Sequence, residues 1–276
     1  MSRKTRQVVE RCGLWRALPD VTGPVDRIVG GARVRHGTIP WQASIRLRGA
    51  GNKTYHNCGA ALISPFHVLT AAHCVSKYRD QFEIYYVRVG DNVMELEDEE
   101  EQELSIERID FHEDFDVGAH LNNDIAVVHI DKRQHPGGIV FGDKVLPVCL
   151  PQVDADYSPA ANVTVSGWGT FGAESSGSKS GANFVSELHT VSLPVIEPAV
   201  CRRPEVYGGE KVSTGMFCAG MLEVRSITLS VFISLLFIQG GLDTCQGDSG
   251  GPAVSYNILP ETRETRATLM GLVSWG

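Results

Sequence analysis

Short runs of residues typical of β-strands, some of them alternating between apolar and polar positions, recur along the chain from Ile28 onward and are separated by turn signals. The clearest of them occupy residues 41–47, 84–89, 125–130 and 163–165, with clusters of Gly, Asn, Asp and Ser between them. A period of two predicts strands, and the clusters predict turns. No long helical period and no internal repeat is found. The pattern therefore predicts an all-β sandwich or barrel rather than a parallel α/β fold.

Three stretches depart from this pattern. Residues 1–27 are polar and turn-rich, which predicts a leader or linker. Residues 170–183 are rich in Gly and Ser, which is typical of a mobile surface loop. Residues 224–239 are too few to span a bilayer comfortably and too apolar for an exposed loop. The codons that can encode these residues fit a short, pyrimidine-rich intron that was retained and translated. We favour this interpretation over a genuine insertion or an interaction loop.

Composition and charge narrow the function classes. The 276 residues are 42% hydrophobic and 21% charged, which excludes wholesale disorder. A net charge of −8 argues against a nucleic-acid partner, and no apolar run predicts a membrane span. Much of the acidity is local, and lies at Glu95, Glu97, Asp98, Glu99, Glu100, Glu101 and Glu103. A solvated acidic loop is favoured over a calcium loop, so no metal is predicted.

Seven cysteines and two glycosylation sequons, at Asn52 and Asn162, favour an oxidising, extracellular compartment. The basic residues 1–6 are not followed by an apolar core, so the sequence as written has no signal peptide. We therefore expect either a cytosolic chain or a missing true start.

Three short motifs carry the candidate chemistry. They are Thr-Ala-Ala-His-Cys at 70–74, Asn-Asp-Ile-Ala at 123–126 and Gly-Asp-Ser-Gly-Gly-Pro at 247–252. Taken singly, such a histidine is more often a core residue, and such a serine more often part of a tight turn. Together, in the order His, Asp, Ser, the motifs resemble those of the chymotrypsin-like (trypsin-family) serine proteases, and the resemblance runs from about Arg27 to Gly276.

The resemblance implies a catalytic triad. His73 would take the proton of the Ser249 hydroxyl and pass it to the leaving amine. Asp124 would hold the His73 ring in the required tautomer. The backbone N–H groups of Gly247 and Ser249 would form the oxyanion hole.

The resemblance also implies activation by cleavage after Arg27. The new ammonium of Ile28 would pair with the buried carboxylate of Asp248 and order the site. The alternative is that Ile28 simply begins a strand.

Substrate specificity is implied by Asp243, six residues before Ser249. A carboxylate at the base of an apolar pocket selects Arg or Lys side chains. The remaining substrate-binding residues implied are Ser274, Trp275 and Gly276.

The same resemblance pairs the cysteines as Cys12–Cys149, Cys58–Cys74 and Cys201–Cys218. Cys245 is left over, and its partner is expected beyond Gly276. The second of two Greek-key barrels would then be incomplete.

The implied architecture is a leader (1–27) and two antiparallel barrels (28–145 and 146–276) with the active site in the cleft between them. The implied function is a secreted endopeptidase without a cofactor, acting on protein or peptide substrates with Arg or Lys before the cut bond. An activating protease and protease inhibitors are its expected partners. The alternative is a catalytically inactive homologue acting as a binding or regulatory module. A cytosolic metal or redox protein is remote, because the chain has neither CxxC nor HExxH spacing.

Overall fold

The computed structural model describes residues 12–14, 32–152, 162–169, 186–220, 248–259 and 262–275. Its strands are β1 (Ala32–Arg33), β2 (Gln42–Arg48), β3 (Thr54–Ser64), β4 (His67–Thr70), β5 (Tyr85–Val89), β6 (Gln102–Phe111), β7 (Ala126–Ile130), β8 (Asn162–Gly167), β9 (His189–Ile196), β10 (Cys218–Ala219), β11 (Pro252–Ile258) and β12 (Thr265–Leu272). Two short helices, α1 (Ala72–Ser76) and α2 (Pro198–Cys201), and two 3₁₀ turns, Ala50–Asn52 and Phe82–Ile84, complete the described elements. The four strands predicted from alternation are confirmed as β2, β5, β7 and β8.

Several residues singled out by the sequence lie outside the described residues. They are Arg27, Ile28, Asp243, Cys245, Gly247 and Gly276, together with the segments 170–183 and 224–239.

Six strands close into a barrel in the order β2–β3–β4–β7–β6–β5, with antiparallel neighbours throughout. Strand β5 shows why they do so. Tyr85, Val87 and Val89 are buried, while the side chains between them are only partly buried. Alternation places one side of the strand in the barrel interior, and closure leaves no free sheet edge.

The second sheet has the order β1–β9–β8–β11–β12, and β10 pairs with β9. Its own apolar core contains Val163, Val165, Val191, Leu193, Val195, Ala219, Ala253 and Val273. Strand β1 is part of this sheet because Ala32 lies opposite Thr190. A closed barrel and a second antiparallel sheet confirm the predicted all-β, two-barrel class.

The structure contains the three disulfides that the resemblance implied, Cys12–Cys149, Cys58–Cys74 and Cys201–Cys218. The first fastens residues 12–14 to the second sheet. There, Gly13 donates to the carbonyl of Pro147 and accepts from the N–H of Ala267. Within the described residues, no helix is both long and apolar enough to cross a bilayer.

Candidate active site

His73 and Asp124 meet because they follow and precede neighbouring strands. His73 lies in α1, just after β4, and Asp124 lies two residues before β7. The β4–β7 register places Thr70 opposite Ala126. The His73 backbone N–H donates to Asp124 Oδ1 at 2.8 Å, and the ring Nδ1–H donates to Oδ2 at 2.6 Å. A carboxylate can only accept here, so His73 Nδ1 carries the proton of this bond.

The second sheet supplies a third donor to the same carboxylate. The Ser274 hydroxyl donates to Asp124 Oδ2 at 2.5 Å. The resemblance implied only a substrate-binding role for Ser274, and this contact was not predicted. The two residues are 150 positions apart, and nothing local in the chain signals that they meet. Trp275, next in sequence, packs edge-on against Tyr207.

Ser249 lies in a tight turn pressed against the first barrel. Its carbonyl accepts the N–H of Gly59 in β3 at 2.8 Å, and the N–H of Gly250 donates to Val273 at 2.7 Å. Gly250 has φ 81°, and an added Cβ would overlap the Gly59 carbonyl oxygen and Thr70 Oγ1. Only glycine is compatible with this path, because both the conformation and the space exclude a side chain.

The Cys58–Cys74 disulfide joins the histidine to the serine turn. Cys74 Sγ lies 3.7 Å from His73 Nε2 and 3.6 Å from the carbonyl oxygen of Ser249. In the described part of the chain, the Ser249 hydroxyl makes no direct hydrogen bond to the His73 ring. Such catalytic contacts are often long in free enzymes and shorten when substrate binds. The structure thus brings His73, Asp124 and the Ser249 turn together.

Asp248 is a buried acid beside the candidate nucleophile. It is 3% exposed, and its Oδ1 accepts the N–H of Gly169 at 2.7 Å. A Cβ at Gly167 or Gly169 would overlap the carboxylate, so the two glycines make room for it. Burial raises the pKa of Asp248 to about 6. Among the described residues, no cationic side chain pairs with it.

Two side-chain groups have some metal-ligand character. One contains His73, Cys58 and Cys74, but its sulfurs form a disulfide and are not thiolate ligands. The other contains Asp91, Asp98 and Glu101, whose carboxylate oxygens lie within 4.8 Å of one another. Oxygen donors of this kind suit a hard cation.

Positive charge already faces the second group, at Asp91. This buried carboxylate lies 3.8 Å from Arg46 Nη1 and 3.7 Å from Arg88 Nη1. Burial raises the pKa of Asp91 to about 6. Because two guanidinium groups offset part of the negative charge, no metal is assigned.

A cavity of about 600 Å³ borders Asp124. Its wall is mostly apolar and includes Leu69, Phe217, Leu269 and Met270. The cavity reaches Asp124 and Ser274 but neither His73 nor Ser249. Its lining also includes Trp275, so two of the residues that the resemblance implied for substrate binding border it.

A two-barrel β-fold in which a hydrogen-bonded histidine–aspartate pair lies beside a serine in a tight, glycine-containing turn is the arrangement of serine proteases of the chymotrypsin type. The family model for trypsin matches residues 28–229 and 230–276. The chain belongs to the trypsin family. The break in the match falls inside the apolar segment 224–239.

Characterised relatives agree with this assignment. Trypsin-1 of Astacus astacus is 32% identical over 253 residues, which are 90% of this chain and 89% of that protein. Transmembrane protease serine 11A of Homo sapiens is 32% identical over 256 residues, 91% of this chain and 50% of that protein. Transmembrane protease serine 11G of Rattus norvegicus is 31% identical over 267 residues, 96% of this chain and 52% of that protein. The chain spans about half the length of these transmembrane proteases.

Proposed function

We propose that this chain is a secreted serine endopeptidase that is made as an inactive precursor and cleaves after Arg or Lys. The observation that carries the proposal is the Asp124 carboxylate, which accepts from both the backbone and the ring of His73 next to the Ser249 turn. No cofactor is required, because proton transfer and covalent catalysis use only these side chains.

The reaction begins with the hydroxyl of Ser249. His73 Nε2 takes its proton as the oxygen attacks the substrate carbonyl carbon. The same proton passes to the amine when the peptide bond breaks, and water then releases the acyl group by the reverse sequence. Asp124 stabilises the imidazolium in both halves. The N–H groups of Gly247 and Ser249 stabilise the oxyanion, and each such donor contributes about 3 kcal/mol.

Activation by cleavage after Arg27 is supported by the surroundings of Asp248. A buried carboxylate with one backbone donor is costly when charged, as its raised pKa shows. The ammonium of Ile28 would supply the missing positive charge, and the resulting pair would order the neighbouring turn. An activating protease that cuts after Arg27 is therefore a required partner.

The preference for Arg or Lys rests on Asp243, six residues before Ser249. Ser274, Trp275 and Gly276 would line the same pocket. Replacing Asp243 with Ser should abolish the preference for arginyl substrates, and unchanged arginyl cleavage would contradict it. Protein or peptide substrates and protease inhibitors are the expected partners.

Extracellular location is supported by the three disulfides, because such bonds persist in oxidising compartments. Of the two candidate glycosylation sites, Asn162 is exposed at the start of β8, and Asn52 ends the 3₁₀ turn between β2 and β3.

A fluorophosphonate probe tests the proposal. The chain is cleaved after Arg27 and labelled, and the Ser249→Ala variant is the matched control. We expect one adduct on Ser249 and none on the control. If the correctly folded and cleaved chain takes no label, the endopeptidase proposal fails, and a catalytically inactive homologue acting as a binding or regulatory module replaces it.

A further inference from the structure

The loop leading to Asp124 has an unusual backbone. Five residues other than glycine have positive φ in the described part of the chain, and three of them lie in residues 112–125. They are Asp116 at 62°, Leu121 at 53° and Asn123 at 51°. A left-handed conformation is unfavourable for most side chains and persists only where surrounding contacts impose it. The concentration of such residues beside Asp124 points to a constraint on that carboxylate.

Asn123 transmits this constraint most directly. It precedes Asp124, and its carbonyl accepts the N–H of Ile125 at 2.7 Å. Asp124 is therefore the middle residue of a three-residue turn, which fixes the direction in which its side chain leaves the backbone. The turn ends at β7, where the N–H of His112 donates to the carbonyl of Ile125 at 3.1 Å.

The side chain of Asn123 anchors the same turn. Its Nδ2 donates to the carbonyl of Asp114 at 3.1 Å, across the loop. On the other side, a Cβ added at Gly215 would lie 3.3 Å from Asn123 Oδ1. Asn is one of the few residues that tolerate left-handed φ, and it also supplies an amide donor. Asp would keep the conformation but place a carboxylate against a carbonyl oxygen.

We propose that Asn123 is a positioning residue for the protease reaction, which holds Asp124 so that one carboxylate serves both the His73 ring and the Ser274 hydroxyl. It does not touch substrate and acts through Asp124. The inference rests on the proposed function. Small displacements matter here, because a misplacement of about 1 Å in a catalytic constellation can reduce the rate by about a hundredfold.

Three substitutions separate the backbone role from the side-chain role. Asn123→Gly keeps left-handed φ and removes the amide, so kcat should fall about fivefold, the equivalent of one neutral hydrogen bond. Asn123→Ala removes both, so kcat should fall about thirtyfold. Asn123→Asp keeps left-handed φ but lacks the side-chain amide donor, so its kcat should fall at least as far as that of Asn123→Gly. KM should stay within about twofold in all three, because the substrate contacts are unchanged.

A spectroscopic signal reports the position of Asp124 without turnover. The proton between His73 Nδ1 and Asp124 Oδ2 should give a downfield NMR resonance because that hydrogen bond is short. The resonance should shift or broaden in Asn123→Ala and recover partly in Asn123→Gly. Arg263, with φ 57° in the β11–β12 connection, provides the matched control. Arg263→Ala should change stability without changing kcat or the resonance.

The outcomes are distinguishable. An unchanged kcat and an unchanged resonance in Asn123→Ala, in a preparation whose Ser249 takes the fluorophosphonate label, overturn the positioning role. If the parent chain takes no label, the proposed function fails, and the NMR resonance alone then decides whether Asn123 positions Asp124. If Asn123→Ala does not fold, Asn123→Gly and Asn123→Asp carry the test.

Discussion

Replacing Asp248 with Asn should have opposite effects on the uncleaved and the cleaved chain. In the uncleaved chain, burial makes the ionised carboxylate of Asp248 unfavourable, and this raises its pKa from 3.8 to about 6. Asn has nearly the same shape, and its Oδ1 can still accept the N–H of Gly169. After cleavage, the Asn variant would lack the charge that, in the proposed activation, would pair with the Ile28 ammonium.

The magnitude and its sign follow from the pKa shift. Raising the pKa of Asp248 from 3.8 to about 6 corresponds to about 3 kcal/mol. The pKa of Asp248 is raised in the folded state, so the folded, uncleaved chain binds more protons than the unfolded chain between pH 4 and 6. Its free energy of unfolding therefore falls as pH rises through this window. The Asn variant should therefore be more stable than the parent by up to about 3 kcal/mol at pH 8, with almost no difference at pH 4.

The assay is equilibrium denaturation in urea at pH 4, 6 and 8, in a Ser249→Ala background that prevents self-digestion. The pKa of Asp91 is also raised to about 6, but its contribution is common to both proteins and cancels in the difference. After cleavage at Arg27, the Asn variant with Ser249 restored should lose fluorophosphonate labelling. An uncleaved Asn variant that is no more stable than the parent at pH 8 would refute the account of Asp248 as an uncompensated buried charge.

Three further predictions follow from the geometry of the site and its supports. Ser274→Ala removes one donor from Asp124, so kcat should fall about fivefold or more while Asp124 keeps its two bonds to His73; an unchanged kcat in steady-state assays would show that the contact is dispensable. Gly250→Ala should prevent correct folding, because its Cβ has no space at φ 81°; a soluble variant with parental thermal stability would contradict this. Replacing Cys12 and Cys149 together by Ser should release the leader after cleavage, which a non-reducing gel would show. The same change should lower the free energy of unfolding of the uncleaved chain by up to about 5 kcal/mol, because the disulfide closes a long loop.

The acidic stretch at residues 95–103 matches its sequence-based prediction only in part. The prediction of a solvated loop fits Glu95, Glu97 and Glu99, which are exposed. It does not describe Asp98, whose Oδ2 accepts the backbone N–H groups of Asn92 and Val93. Charge alone predicts exposure, whereas the path of the chain decides which carboxylate finds backbone donors.

The sequence by itself located four of the described strands and indicated which residues are the candidate reactive ones. Strand signals are local, because they depend on the types of neighbouring residues and on the turn residues that flank them, so β5 and β7 could be located without knowing their partners. The motifs around His73, Asp124 and Ser249 could be identified in the same way, because each is contiguous in the chain.

Tertiary structure decided what those residues touch. The Ser274 hydroxyl reaches Asp124 only because the second sheet is folded against the first barrel. The left-handed backbone of Asn123 occurs together with the bond from its side chain to the carbonyl of Asp114 across the loop. Strand β1 joins the second sheet across more than 150 residues of intervening chain. The Ser274–Asp124 contact and the pairing of β1 with β9 each join residues far apart along the chain, where no local signal exists, so packing alone specifies them.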